Sequence, residues 1–237
     1  MEYFTNYTRE VSKKHFSGYR QFERAPYRQA EEAARQLAGF SVIHVNSAFN
    51  SGGVAEILKS QVPLEQSLGL RSHWLVMKAP DAFYETTKKI HNMLQGREGE
   101  LSPEEQELYL GHNKKAVGEL LQYIQEQDSP ALVMFHDPQP LPMISYLEDI
   151  PVVSRIHVDL SNSNERILRF LQPFFMKARR LIVSDEVFKP SFINPEVISV
   201  IYPAIDVFSA KNMPMEDEKI RKTLSDVGLN VSRPIAA

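Results

Sequence analysis

The chain has 237 residues, 43% of them hydrophobic, enough for one substantial core with terminal extensions. Its 27 basic and 30 acidic residues leave a net charge of −3, which provides no basic footprint for nucleic acid or an anionic membrane. The absence of cysteine excludes disulfides, thiolate metal sites and a cysteine nucleophile, and with no signal peptide or membrane span in the sequence, a soluble cytoplasmic protein is expected.

Residues 1–40 read as a polar, helical extension ending near Gly39, ahead of a single Rossmann-like domain over 41–230. The run 41–45 (SVIHV) predicts a buried first strand. Behind Gly52 and Gly53, the residues Val54, Ile57, Leu58 and Val62 recur at helical spacing, and Gly69 closes that helix. Residues 71–77 predict a second strand. The segment 78–130 exceeds a minimal crossover and contains a polar turn, HNMLQG at 91–96, followed by a helix opening at Ser102 with a Ser-Pro-Glu-Glu capping box. Further strands are predicted at 131–135, 152–158, 181–184 and 197–202, and a last helix over 216–227 precedes what reads as a strand start at 231–237. Strands alternating with helices predict an α/β class: a doubly wound, mainly parallel sheet with right-handed crossovers.

In such a sheet ligands bind beyond the carboxyl ends of the strands, and three of those ends are rich in polar residues. The first, NSAFNSGGVAE at 46–56, lets Gly52 and Gly53 bring backbone N–H groups and a helix N-terminus to an anion; the same pair also serves as plain turn geometry. It lacks GxGxxG, and no acidic residue follows the second strand, which counts against a dehydrogenase. The second, HDPQP at 136–140, offers Asp137 and Gln139 to sugar hydroxyls, or else Asp137 merely caps a helix. In the third, RIHVD at 155–159, alternation would put Arg155, His157 and Asp159 on one face, with Arg155 and Asp159 compensating one another; this is either a solvated edge or a site centred on His157. The seven histidines show no metal-ligand spacing, so no metal is expected, and no GxSxG elbow suggests a hydrolase.

Taken together, VIHVNS, SGGVAEIL, HNMLQG, HDPQP and RIHVDLS resemble the N-terminal domain of the trehalose-forming glycosyltransferases, a retaining class with two Rossmann-like domains (GT-B, glycosyltransferase family 4). The resemblance spans roughly 41–237. It implies that this half binds the acceptor, glucose or trehalose, and that glucose is transferred with retained configuration from a nucleoside-diphosphate-glucose held by a second domain whose start is residues 231–237. Gly52 and Gly53 would lie near the donor phosphates, Asp137 would bind an acceptor hydroxyl, and His157 would stand beside the reacting glucose as the catalytic residue. Gln139, Arg155 and Asp159 rank behind these, and His91, Asn92 and Gln95 lower still. No cofactor is implied, Mg is not indicated, a homodimer is allowed for, and this half alone should lack full activity. Two other readings share this half: a trehalose phosphorylase, and a stand-alone sugar-binding or regulatory module.

Overall fold

Short aliphatic runs pair into a seven-stranded sheet of order β1-β3-β2-β4-β5-β6-β7. The strands are β1 (Phe4–Asn6), β2 (Ser41–Asn46), β3 (Arg71–Met77), β4 (Ala131–His136), β5 (Val152–Ile156), β6 (Arg180–Val183) and β7 (Ile198–Val200). In this computed structural model, which describes residues 1–11, 19, 24–209 and 211–229, every pairing is parallel except that of β1 with β3. All six residues of β2 are buried, as expected for a central strand covered on both faces. The helices are α1 (Arg24–Gln36), α2 (Gly53–Ser67), α3 (Asp81–Leu94), α4 (Pro103–Gln125), α5 (Glu165–Phe175) and α6 (Asp217–Asp226).

Side-chain alternation sorts the core into two layers. Ile43, Val45, Leu75, Met77, Val133, Phe135 and Ile156 face a large cluster shared with Phe83, Ile90, Tyr109, Leu120, Leu171 and Phe175 of α3, α4 and α5. Trp74 and Val76 face the other way, onto Ala55, Leu58 and Val62 of α2. Helices on both faces of a parallel sheet make the fold the expected doubly wound α/β class. The long helix α4 starts on the anticipated capping box: Ser102 Oγ accepts from Glu105 N at 3.2 Å, and Glu105 Oε2 accepts from Ser102 N at 2.7 Å.

The amino-terminal region differs from the sequence reading. Residues 4–6 are not part of a helical lead-in but an antiparallel strand on β3, and a single helical turn follows at Thr8–Val11. The physical reason lies far along the chain. The Glu119 carboxylate of α4 accepts the backbone N–H groups of Glu2, Tyr3 and Phe4, and Phe4 is buried in the main core. Long-range capture of this kind leaves no local periodicity to read.

The chain divides into two compact units, Met1–Ala204 and Ile205–Ala237. The first therefore contains β1 and ends before the expected boundary at 230. The second contains α6, whose first turn carries Asp217 and Glu218, where acids favour the positive end of the helix dipole. The strand start expected at 231–237 lies outside the described residues.

Candidate active site at the switch point of the sheet

The connection from β2 runs to β3 on one side, and the next strand, β4, pairs with β2 on the other. The order thus reverses between β2 and β4, and in open parallel sheets ligands bind beyond the strand ends at such a reversal. Three of the predicted strand ends, those of β2, β4 and β5, are consecutive across that edge.

At the end of β2, Trp74 Nε1 donates to Asn46 Oδ1 at 2.8 Å, and Phe49 stacks on Tyr7 with ring centroids 3.8 Å apart. These contacts fix the loop that delivers Gly52 to the start of α2. Gly52 has φ +89, a left-handed conformation that favours glycine, whereas Gly53 is free of that constraint. Both are exposed, and the first backbone N–H groups of α2 lie just beyond the carboxyl end of β2.

The end of β4 is sharper. Asp137 has φ +62, an uncommon conformation for a residue other than glycine, and it is 9% exposed. It does not cap a helix. Its N–H donates to the Arg155 carbonyl at 2.9 Å and its Oδ1 accepts the His157 N–H at 2.8 Å, so one residue clips the end of β4 to the end of β5. Burial raises its carboxyl pKa to about 6, against the opposing pull of the His157 N–H and the Arg155 guanidinium. The turn beyond it is fixed through backbone: Tyr109 Oη donates to the Pro138 carbonyl, and Asn113 Nδ2 donates to the Gln139 carbonyl at 3.1 Å. The half-buried Gln139 side chain lies outside that bond.

The expected strand 152–158 stops at Ile156. The last pair in the β4–β5 ladder is His136 with Arg155, and once the His157 N–H turns to Asp137 the chain leaves the sheet. Alternation therefore does not extend to the three residues it was expected to align. Arg155 is buried at 8% exposure, and its Nη2 donates to the Ile201 carbonyl at 3.2 Å. Asp159 is exposed and accepts the Ser161 N–H at 2.8 Å in a local turn. Among the described residues no ion pair joins Arg155 to Asp159; the carboxylate that raises the Arg155 pKa, against the larger lowering by burial, is Asp137. His157 is half-buried, and burial together with Arg155 lowers its pKa to about 4.

The segment 91–96 is also revised. His91 and Asn92 lie in the last turn of α3, Gln95 caps it, and Gly96 follows with φ +93. Its place at the site comes through the loop after β5: Asn164 N donates to the Met93 carbonyl at 2.9 Å, Ser163 Oγ donates to the Leu94 carbonyl, and a Cβ on Gly96 would stand 2.9 Å from the Asn162 carbonyl oxygen. On the α3 side these joins are made by the backbone carbonyls of Met93 and Leu94 and by Gly96. His91, whose pKa burial lowers, and Asn92 are half-buried, and Gln95 is exposed.

Sequence reasoning missed three residues here. His44 on β2 and His136 on β4 lie on the α2 side of the sheet, 0% and 1% exposed, with His44 Nδ1 3.0 Å from His136 Nε2. His136 Nδ1 is 3.1 Å from His157 Nε2, and His44 Nε2 is 2.8 Å from Glu65 Oε2 on α2. A histidine within two residues of the end of three neighbouring strands was the available signal. Glu65 gave none, since its approach depends on how α2 packs. Among the described residues no group of three or more His, Cys, Asp or Glu side chains has the arrangement to hold a metal ion. None of the described helices is long and apolar enough to cross a membrane.

Residues 44–190, which contain the carboxyl end of β2, all of α2, Asp137 and His157, match the family described as trehalose synthase, N-terminal domain. The chain belongs to this family. Proteins named trehalose synthase from Thermococcus litoralis and Pyrococcus furiosus are each 37% identical over 204 residues, covering 85% of this chain and 48% of theirs. The one from Rubrobacter xylanophilus is 32% identical over 212 residues, covering 88% of this chain and 50% of its own. The chain thus spans about half the length of the curated trehalose synthases it matches. The matched segment contains the carboxyl ends of β2, β4 and β5.

Proposed function

We propose that this chain is the acceptor-binding half of a retaining glucosyltransferase that moves glucose from a nucleoside-diphosphate-glucose to the anomeric hydroxyl of a second glucose, giving trehalose. The observation that carries the reading is the clip at the switch point, where a buried carboxylate with a raised pKa holds the backbone of a half-buried histidine. A carboxylate kept in so unfavourable a place is a mark of a functional site, and the family and the trehalose synthase relatives supply the substrate class.

In this reaction the bond from C1 of the donor glucose to the diphosphate breaks. A bond from C1 to the acceptor's anomeric oxygen forms with the same configuration, and the acceptor proton leaves with the nucleoside diphosphate. The N–H groups at Gly52 and Gly53 suit a diphosphate oxygen. Asp137, ionised above about pH 6, accepts from an acceptor hydroxyl. His157, neutral over the same range, offers a ring nitrogen to the transferred glucose. Gln139 and Arg155 flank them, with Asp159, His91, Asn92 and Gln95 on the outer wall. The nucleotide would be held by a second domain of the kind the relatives' remaining length allows. Closure of the two halves would exclude water and orient the acceptor, so this half alone would not complete turnover.

The test is steady-state kinetics of His157→Ala in the full-length protein. The expected result is a fall in kcat/KM on the order of 100-fold with folding intact; near-normal kcat/KM in a folded variant rejects the assignment. Trehalose cleavage with phosphate alone, and none with a nucleoside diphosphate, would reassign the protein as a phosphorylase.

A further inference from the structure

The three histidines and Glu65 form one hydrogen-bonded line that runs from α2 through β2 and β4 to the site. Glu65 accepts from Ser72 Oγ at 2.6 Å and from Gln61 Nε2 at 2.8 Å, besides lying 2.8 Å from His44 Nε2. His44 Nδ1 then meets His136 Nε2 at 3.0 Å, and His136 Nδ1 meets His157 Nε2 at 3.1 Å. Both ring nitrogens of His44 and both of His136 are used within the line. Packing alone does not need this, because a partly buried imidazole can engage a single partner through one nitrogen, as His73 Nδ1 does with Tyr123 Oη at 2.9 Å.

We propose that Glu65, His44 and His136 are positioning residues that fix which ring nitrogen of His157 carries the proton, so that His157 presents a bare Nδ1 to the sugar. This deepens the role assigned above to His157 and rests on it for the link to turnover.

An ionised carboxylate only accepts, so His44 Nε2 carries a hydrogen. A neutral imidazole has a single N–H; His44 Nδ1 is then bare and must accept from His136 Nε2. His136 Nδ1 is bare in turn and must accept from His157 Nε2. The choice made at Glu65 passes through three rings and leaves His157 Nδ1 as an acceptor. One extra proton would invert every bond beyond His44. His44 would then be protonated at both nitrogens against Glu65, and His157 would donate through Nδ1 instead.

The groups facing the line favour the first state. Arg155 on β5 sets a positive charge near His136 and His157, and the Asp137 carboxylate, just past β4, is engaged by the His157 backbone N–H. On β3, Ser72 donates to Glu65, and His73, itself held below its usual pKa by burial, lies within the field of His44. Burial works against the Glu65 charge, but His44, Ser72 and Gln61 outweigh it and its pKa is lowered. Burial, then its neighbours His44, His157 and Arg155, hold His136 well below its usual pKa. His136 and His157 therefore carry one ring proton each at neutral pH.

The experiment is long-range 1H–15N correlation on the full-length protein with 15N in its histidine rings, at neutral pH, for the wild type and for Glu65→Gln, an amide able to donate to His44. The expected result is an Nε2–H form for His44, His136 and His157 in the wild type. In the folded variant the His157 signals should shift toward Nδ1–H, and kcat should fall on the order of 10-fold while the acceptor KM changes little. A wild-type His157 protonated at Nδ1 overturns the proposal whether or not the variant folds, and so do unchanged His157 signals in a folded Glu65→Gln. A shifted tautomer with unchanged kcat sustains the line and overturns instead the sugar-facing role of His157.

Discussion

Replacing Asp137 by Asn keeps the shape of the clip and removes its charge. Asn tolerates positive φ, and its Oδ1 can still accept the His157 N–H now received at 2.8 Å. Burial raises the Asp137 pKa from the ordinary 3.8 to about 6. A raised folded-state pKa means that the carboxyl costs nothing below pH 3.8, when both folded and unfolded chains are protonated, and that stability is lost as pH rises to about 6. At ~1.36 kcal/mol per pH unit, that rise amounts to a penalty of ~3 kcal/mol at pH 7. Asp137→Asn should therefore match the wild type in stability near pH 4 and exceed it by ~3 kcal/mol at pH 7. Titrations elsewhere are common to both proteins and cancel. Urea midpoints at the two pH values measure this directly. The same variant should raise the acceptor KM about tenfold, the worth of one hydrogen bond to a charged group. An Asn variant less stable than the wild type at pH 7 would refute the view that the carboxylate is held at a cost.

Arg155→Met removes the cation that helps depress His157, so the ring pKa should climb from about 4 toward its usual range, followed by NMR titration; no movement would place the depression in burial alone. Gly96→Ala should cost more than Gly52→Ala. Both glycines have positive φ, but only a Cβ on Gly96 meets a carbonyl oxygen, at 2.9 Å, so we expect a loss of ~2 kcal/mol or more against ~1 kcal/mol in denaturant unfolding. Ser102→Ala breaks the capping box of α4 and should lower stability by ~1 kcal/mol without changing turnover, checked by paired melts and kinetics.

Where local chemistry decides structure, the sequence was legible. The apolar runs of β2, β3 and β4, the glycine turn into α2 and the capping box of α4 were all readable from neighbours in sequence. It misled where a distant group decides. The strand at 152–158 loses its last two residues because Asp137, 20 positions away, takes the His157 N–H. The lead-in gains β1 because Glu119 captures three N–H groups. The turn expected at 91–96 is a helix end because Ile90, Met93 and Leu94 are buried in the main core, so the apolar face of α3 outweighs the polar residues between them. His157 and Asp137 were marked as candidates, but the line behind them was not, since two of its members sit on strands whose pairing only the sheet order reveals.

His157 is held by two independent anchors of different kinds. Asp137 holds its backbone through the N–H, while His136 holds its ring through Nε2. The first fixes where the residue leaves β5; the second fixes how the imidazole is turned and which of its nitrogens is free. Asp137→Ala differs from Asp137→Asn in this respect, because alanine loses the oxygen and fits φ +62 poorly, so the backbone anchor itself gives way. Only the alanine variant should then disturb the ring signals of His136 and His157, whereas Asn should leave them in place while weakening acceptor binding. If both variants raise the acceptor KM alike and neither moves the histidine signals, the carboxylate acts on the sugar and not through His157. If alanine alone moves them, the clip is the part that aligns the end of β5 with the buried line, and the charge of Asp137 is a separate function carried by the same side chain.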